Sequence, residues 1–319
     1  MSERPPDAVL WDFIRGATMT QALAVAAEHG VADTLARGPR SVQAIASEAG
    51  VDPAALHRVL RALASDGVFA EEREGVFRNT PASEALRSAG RKDFAHLFAG
   101  VLYTAMNDLG QAVRSGAATF ADSLGAEFWS WLAAHPDERA GFDRAMAGGK
   151  HRSAAQLAEL EWRDGEVVVD VGGGNGALLV ELLRQQPQLR GIVFDLPETD
   201  RDESIFGDRI EFVAGSFFES VPVGDVYLLS AILHDWDDER AAEILRGIRS
   251  AAPSRARLIL LENVIGDGND PQPAKWLDLV MLVISGGRER TESDWRELIE
   301  PCGFAIERIE DGLVEARCR

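Results

Sequence analysis

Residues 168–176 read VVDVGGGNG, an apolar β-branched run that breaks into four glycines around Asn175, with one carboxylate, Asp170, set inside it. The next stretch, ALLVELLRQQ (177–186), carries apolar residues at helical spacing, so the segment predicts strand, tight turn and helix. That is the setting in which a glycine turn and a helix N-terminus hold a nucleotide.

The same texture extends outward. EVVVDV (166–171), GIVFDL (191–196), RIEFVAG (209–215), DVYLLSAI (225–232) and RLILLENVI (257–265) are short β-branched runs alternating with amphipathic stretches. Continuous apolar runs of this length predict parallel strands covered by helices on both faces. The fold class expected is therefore α/β, a Rossmann-like, doubly wound, mostly parallel sheet whose ligand lies beyond the carboxyl ends of the strands.

The first part of the chain differs. Apolar residues between Trp11 and Gly30 recur at helical spacing. In 41–80, Ser41 caps a short helix that Gly50 ends, Asp52 and Pro53 open a second helix to about Ser65, and two apolar segments flank EEREG. Helix, turn, helix and hairpin is the pattern of a winged helix. The second helix offers only His57, Arg58 and Arg61 to phosphates, against an acidic wing, and the whole chain carries 52 acidic and 33 basic residues, a net charge of −19. Such a surface repels nucleic acid and anionic membranes, so the winged helix reads as a dimerisation module. The domain expectation is 1–100 for an N-terminal all-helical winged-helix dimerisation domain, 101–160 for a helical linker contributing to the substrate pocket, and 161–319 for the nucleotide-binding domain. With 319 residues and 46% apolar content the chain can bury a large core. It shows neither a signal-peptide pattern nor an apolar span of membrane length, and its two cysteines, Cys302 and Cys318, lack paired spacing. A cytoplasmic location is expected, with no membrane and no nucleic-acid partner.

Two ligand classes share a glycine turn followed by an acid, here Asp195, at the end of the second strand. A dinucleotide places its pyrophosphate at the helix N-terminus, where Asp170 would repel it. A ligand carrying an ammonium and a sulfonium would be attracted by the same carboxylate, and S-adenosylmethionine is such a ligand. At the end of the fourth strand stands SAILHDWDDERAAEIL (230–245), which puts His234 at the sheet edge where α/β enzymes build their sites. The acids of HDWDD read as the charge pattern of a helix N-terminus rather than as metal ligands, and no metal is expected.

The combination of VVVDVGGGNGALLVELL, FDLPE, ILHDWDDERAAEIL and GGRERTESDWRELIEPCGF resembles the class I S-adenosylmethionine-dependent O-methyltransferases that act on small molecules, the plant caffeate-type and bacterial polyketide and antibiotic tailoring enzymes. The resemblance covers nearly the whole chain and implies a homodimer. It implies that Asp170, Gly172 and Gly174 line the methionyl part of the cofactor, Asp195 its ribose and Leu196 its adenosine, with Ser230 near the amino-acid group. Where the family usually has an acid after the third strand, this chain has Ser216, followed by Phe217 to cover the adenine. His234 matches the general base, and Glu262 and Glu289 match the acids that flank and orient it. A phenol pKa of about 10 against about 6.5 for histidine makes such a carboxylate helpful.

For the acceptor pocket the resemblance points to Phe142, Met146, Asp235 and Met281. Phe128, Trp129, Trp131 and Trp276 are further aromatics on the same helical stretches. The implied reaction is methyl transfer to a phenolic hydroxyl of an aromatic natural product such as a polyketide. Two other readings share these features: a relative that uses the bound cofactor for decarboxylation, hydroxylation or a pericyclic reaction, and a cofactor-sensing regulator built on the winged helix.

Overall fold

The structure is a computed structural model that describes residues 5–87, 91–148, 150–199, 201, 203–205 and 207–319. The chain divides into two compact units, Met1–Thr104 with Arg144–Gly148, and Ala105–Asp143 with Gly149–Arg319.

In the first unit a long helix, Pro6–Glu28, starts one turn earlier than the apolar spacing predicts because Pro6 supplies the fixed φ of a first helical turn. Ser41 Oγ accepts from the Ala44 N–H and Asp52 Oδ1 from the Ala55 N–H, so both predicted caps form. The helices Val42–Ala49 and Pro53–Ser65 pack Ile45, Leu56 and Leu60 against Phe69 and Phe77 of the wing. The wing itself is a hairpin, Phe69–Arg73 and Val76–Asn79, extended by Arg40–Ser41 into a three-stranded sheet. The unit is thus mainly helical, with a small sheet in place of the all-helical character expected.

The second unit is built on seven strands: β1 (Val167–Val171), β2 (Arg190–Asp195), β3 (Ile210–Ala214), β4 (Val226–Ser230), β5 (Arg257–Leu261), β6 (Phe304–Glu310) and β7 (Leu313–Cys318). Their order is β3-β2-β1-β4-β5-β7-β6. The five strands expected from the apolar runs pair in parallel, whereas β7 is antiparallel to both β5 and β6. The hairpin of β6 and β7 has its turn at Asp311 and Gly312, both at positive φ, and lies outside the runs that signalled the sheet. One face is covered by the helices Asp238–Ala251 and Glu292–Ile299, which bury Ile244, Leu245, Trp295 and Ile299. The other is covered by Lys150–Ala158 and Ala177–Gln185, which bury Leu157, Leu178, Leu179 and Leu182. The order in which strands are added to the sheet reverses between the parallel neighbours β1 and β4, so a crevice opens beyond their carboxyl ends, where such folds bind their ligands.

Candidate active site

The turn after β1 brings the chain closer to the end of β4 than a side chain would permit. Gly172 has φ +71°, and a Cβ there would collide with the Ile232 side chain. Gly174 donates its N–H to Asp195 Oδ2 at 2.7 Å, while Asp195 Oδ1 accepts from the Leu196 N–H and the Thr199 hydroxyl, each at 2.7 Å. The Gly174 N–H is therefore spent on fixing Asp195, and the turn and the acid after β2 form one rigid piece. Leu196 stands beside it, 40% exposed.

Asp170 is buried, and its Oδ2 has no hydrogen-bond partner. Burial pushes its carboxyl up to about 7, with Lys150 pulling the other way and Asp195 adding to the rise. Ser230 ends β4, and its hydroxyl oxygen accepts from Lys150 Nζ at 3.3 Å. The next residue, Ala231, takes φ +56°, a left-handed conformation that L residues with a Cβ rarely hold and that marks strain at a functional edge. After β3, Ser216 Oγ accepts from the Phe218 N–H at 3.3 Å, and Phe217 packs edge-on against Phe218 and Trp236. The serine oxygen thus holds its own turn.

His234 sits on the short turn after β4 and is buried. Its Nδ1 lies 2.9 Å from Glu289 Oε1, and its Nε2 lies 3.5 Å from Asp235 Oδ1. Glu289 is itself held: Asn263 Nδ2 donates to Oε1 at 3.0 Å, and the Glu289 N–H donates to Asp278 Oδ1 at 2.8 Å. Glu262 behaves differently from the expectation that it flanks and orients the imidazole directly. Its Oε1 accepts the backbone N–H groups of Ile232 and Leu233 at 2.9 and 2.8 Å. Glu262 therefore holds the turn that carries His234 and acts on the imidazole through charge. Burial alone would lower the imidazole, but Asp235, the Glu289 hydrogen bond and the charge of Glu262 together raise it to about 10. Burial pushes Asp235 up to about 7, opposed by His234.

The acids of HDWDD divide their tasks. Asp237 Oδ1 accepts from the Arg240 N–H as a helix cap, and Asp238 pairs with the fully buried Arg290 at 2.9 Å. Arg290 Nη1 and Nη2 also donate to the carbonyls of Leu233 and Trp236. The His234 turn is further clasped by Gly287, where a Cβ would collide with the His234 carbonyl oxygen, and by the Arg288 N–H, which donates to that oxygen at 2.9 Å.

Of the pocket candidates, Phe142 joins an aromatic cluster, edge-on to Phe128 and Trp129 with centroids 5.6 Å away in both cases. Met281 is buried on the helix Ala274–Ile284, the helix whose Asp278 anchors Glu289. Trp276 on that helix is 60% exposed. Met146 belongs to the first unit, half-buried near the end of the helix Pro136–Ala147. Asn263, Asp278, Gly287 and Lys150 were not singled out from the sequence. Each acts through a contact across the fold, although Asn263 stands in the RLILLENVI run and Gly287 in the GGRERT stretch.

The O-methyltransferase domain family matches residues 106–305, and the O-methyltransferase dimerisation domain matches residues 11–88. The chain belongs to the S-adenosylmethionine-dependent O-methyltransferases. The phenazine O-methyltransferase PhzM of Lysobacter antibioticus is 39% identical over 96% of this chain and 93% of its own. The crystal structure of LaPhzM is similar with a TM-score of 0.91 and 38% identity, covering 99% of this chain and 100% of that one. The O-methyltransferase NcsB1 from neocarzinostatin biosynthesis, in complex with S-adenosyl-L-homocysteine and 1,4-dihydroxy-2-naphthoic acid, has a TM-score of 0.79 and 32% identity, covering 95% and 96% of the two chains.

The residues of this O-methyltransferase fit a cationic methyl donor. A buried carboxylate with an oxygen lacking any protein partner, Asp170, stands at the mouth of a turn in which a side chain at Gly172 would be strained by the positive φ and would displace Ile232. An oxygen in that state costs free energy until a donor group reaches it.

Proposed function

We propose that this O-methyltransferase methylates a hydroxyl group, phenolic in character, on a flat aromatic natural product of the phenazine, naphthoate or polyketide kind, with His234 as the general base. The observation that carries the reading is the 2.9 Å contact from His234 Nδ1 to Glu289, which fixes one ring nitrogen and turns the other, Nε2, toward Asp235 on the acceptor side. Relatives support the acceptor class: one is named for phenazine, and another is described with a dihydroxynaphthoic acid.

Asp170, Gly172, Gly174 and Ser230 hold the methionyl end of the donor, Asp195 and Leu196 its nucleoside, and Ser216 and Phe217 its base. When bound, S-adenosylmethionine supplies an activated methyl group on a positively charged sulfur. The protein then has to align the acceptor and remove its proton. Glu289 keeps the imidazole in one tautomer. Asp235, Glu262 and Glu289 stabilise a proton on it, so the imidazolium formed after proton abstraction is favoured. Those charges favour the protonated imidazole over the neutral one. A positive charge brought near Glu262 would offset part of that stabilisation and move the imidazole toward its neutral form. Phe142, Asp235 and Met281 line the acceptor side.

We assign residues 1–100 to dimerisation, 101–160 to the helices that shape the acceptor pocket and 161–319 to donor binding and chemistry. The match to a dimerisation domain supports a homodimer. We also place the enzyme in the cytoplasm, a reading that its two free thiols fit.

The test is incubation with labelled donor and a panel of hydroxylated phenazines, naphthoates and benzoates. Methyl incorporation at a ring hydroxyl is expected, with a fall in kcat of roughly 10²- to 10⁴-fold in His234→Ala at unchanged donor affinity. Donor binding without incorporation into any acceptor overturns the reaction, and full activity of His234→Ala overturns the base.

A further inference from the structure

The site contains one charge that the reading above does not use. Lys150 opens the helix Lys150–Ala158, and its Nζ donates to the Ser230 hydroxyl at 3.3 Å. Burial is the strongest influence on this ammonium and pulls it below the ordinary lysine range, while the charges of Asp170 and Glu262 raise it again. Each of these two buried carboxylates has an oxygen with no protein partner, Asp170 Oδ2 and Glu262 Oε2. Among the described residues, no carboxylate comes within 4.0 Å of Lys150 Nζ to form an ion pair. The chain therefore holds a desolvated cation and a desolvated anion in one crevice without letting them close on each other. Separated in this way, the two charges cost free energy that a direct ion pair would recover.

A zwitterion resolves this arrangement. An α-amino acid group carries an ammonium for Asp170 and, one carbon away, a carboxylate for an ammonium of the protein. We propose that Lys150 receives the α-carboxylate of the methyl donor while Asp170 receives its α-ammonium, so that this pair selects ligands by their amino-acid end. The inference rests on the assignment of Asp170 and Ser230 to the methionyl end of the donor site. It also accounts for a lysine in a site built for a cation. Alone, its ammonium would repel a sulfonium; with a carboxylate bound to it, that repulsion is cancelled. Two carboxylates and one ammonium leave one net negative charge, the complement of a donor with two cationic centres and one carboxylate. Ser230 orients Nζ through its hydroxyl, which gives the serine a positioning task that its place at the end of β4 did not reveal.

The full-length protein is titrated by calorimetry with S-adenosylhomocysteine and with its decarboxylated counterpart, both of which lack the sulfonium. Wild type is expected to prefer the carboxylate-bearing ligand by at least tenfold, about 1.4 kcal/mol. Lys150→Met brings that ratio close to one by weakening the carboxylate-bearing ligand alone, and Lys150→Arg keeps most of the preference; circular dichroism verifies that both variants are folded. An unchanged ratio in Lys150→Met overturns the proposal, as does equal weakening of both ligands. Tighter binding of both overturns it too, since the ammonium would then only fill the place of the donor's own cation. Wild type that binds neither ligand removes the donor-site assignment itself, and the role of Lys150 with it.

Discussion

His234 Nδ1 and Glu289 Oε1 meet at 2.9 Å although the residues are 55 positions apart in the chain. An imidazole must be neutral to accept a proton, so the rate of a His234-based reaction rises with pH through the imidazole pKa. Glu289 raises that pKa both as a hydrogen-bond acceptor and as a charge. Glu289→Gln keeps an acceptor and removes the charge. Its rising limb in a plot of log kcat against pH is expected at lower pH than in wild type, with a fall in the plateau of about 10²-fold. A limb that stays in place or moves to higher pH excludes Glu289 as the residue that tunes the base.

Gly287 sets the position of the same histidine from the opposite side. A Cβ on residue 287 would collide with the His234 carbonyl oxygen and lie 2.5 Å from the Asp235 carbonyl carbon, both backbone atoms that cannot turn aside. Gly287→Ala is expected to displace the His234 turn, lower kcat at least about tenfold and destabilise the fold by about 1–3 kcal/mol. Donor affinity, measured by calorimetry, stays near wild type because Asp170 and the glycine turn are untouched. Equal kinetics in wild type and variant exclude the close approach.

Asp170 links stability to function. Its carboxyl is raised from 3.8 to about 7 in the folded protein, principally by burial. Between these values the folded state binds a proton that the unfolded chain has released, so this residue makes stability fall as pH rises through that window, and the penalty is complete above pH 7. Asp170→Asn removes the penalty. In the absence of ligand, the variant is expected to gain on the order of 4 kcal/mol over wild type at pH 8 and nothing at pH 3.5, while losing donor binding. Denaturant unfolding at the two pH values measures this. A variant that is less stable at pH 8 than wild type excludes a strained carboxylate.

The main architecture was legible because it rests on local signals. The five apolar runs became parallel strands, Ser41 and Asp52 became caps, and the order of the GGGNG turn and Asp195 placed the crevice. The hairpin of β6 and β7 was not read, since Phe304–Glu310 alternates with charges and one of its faces is only partly buried. The site was legible where a residue stands inside a motif, as His234 and Asp170 do. It was hidden where function depends on what the fold brings near. Glu262 follows β5 in a stretch that suggests an acid facing the histidine, yet the neighbouring backbone offers two unsatisfied N–H groups, and the carboxylate binds those first. Lys150 lies in a sequence that carries no signal, and only its proximity to Ser230 in space reveals it.

The first helix carries the last expectation. Leu10, Trp11 and Ile14 on Pro6–Glu28 are 60%, 59% and 69% exposed, and together with Val9 they give one end of the helix an apolar surface. Single exposed apolar residues need no explanation, but a contiguous patch on one helix marks an interaction surface. The dimerisation-domain match begins at residue 11, inside this patch. A homodimer that buries these side chains gains roughly 25 cal/mol for each Å² of apolar surface removed from water. Leu10→Glu combined with Ile14→Glu places two like charges from each protomer against that surface. The double variant is expected to sediment as a monomer at micromolar concentration where wild type sediments as a dimer, with circular dichroism unchanged. A double variant that remains dimeric moves the dimer contact away from the start of this helix.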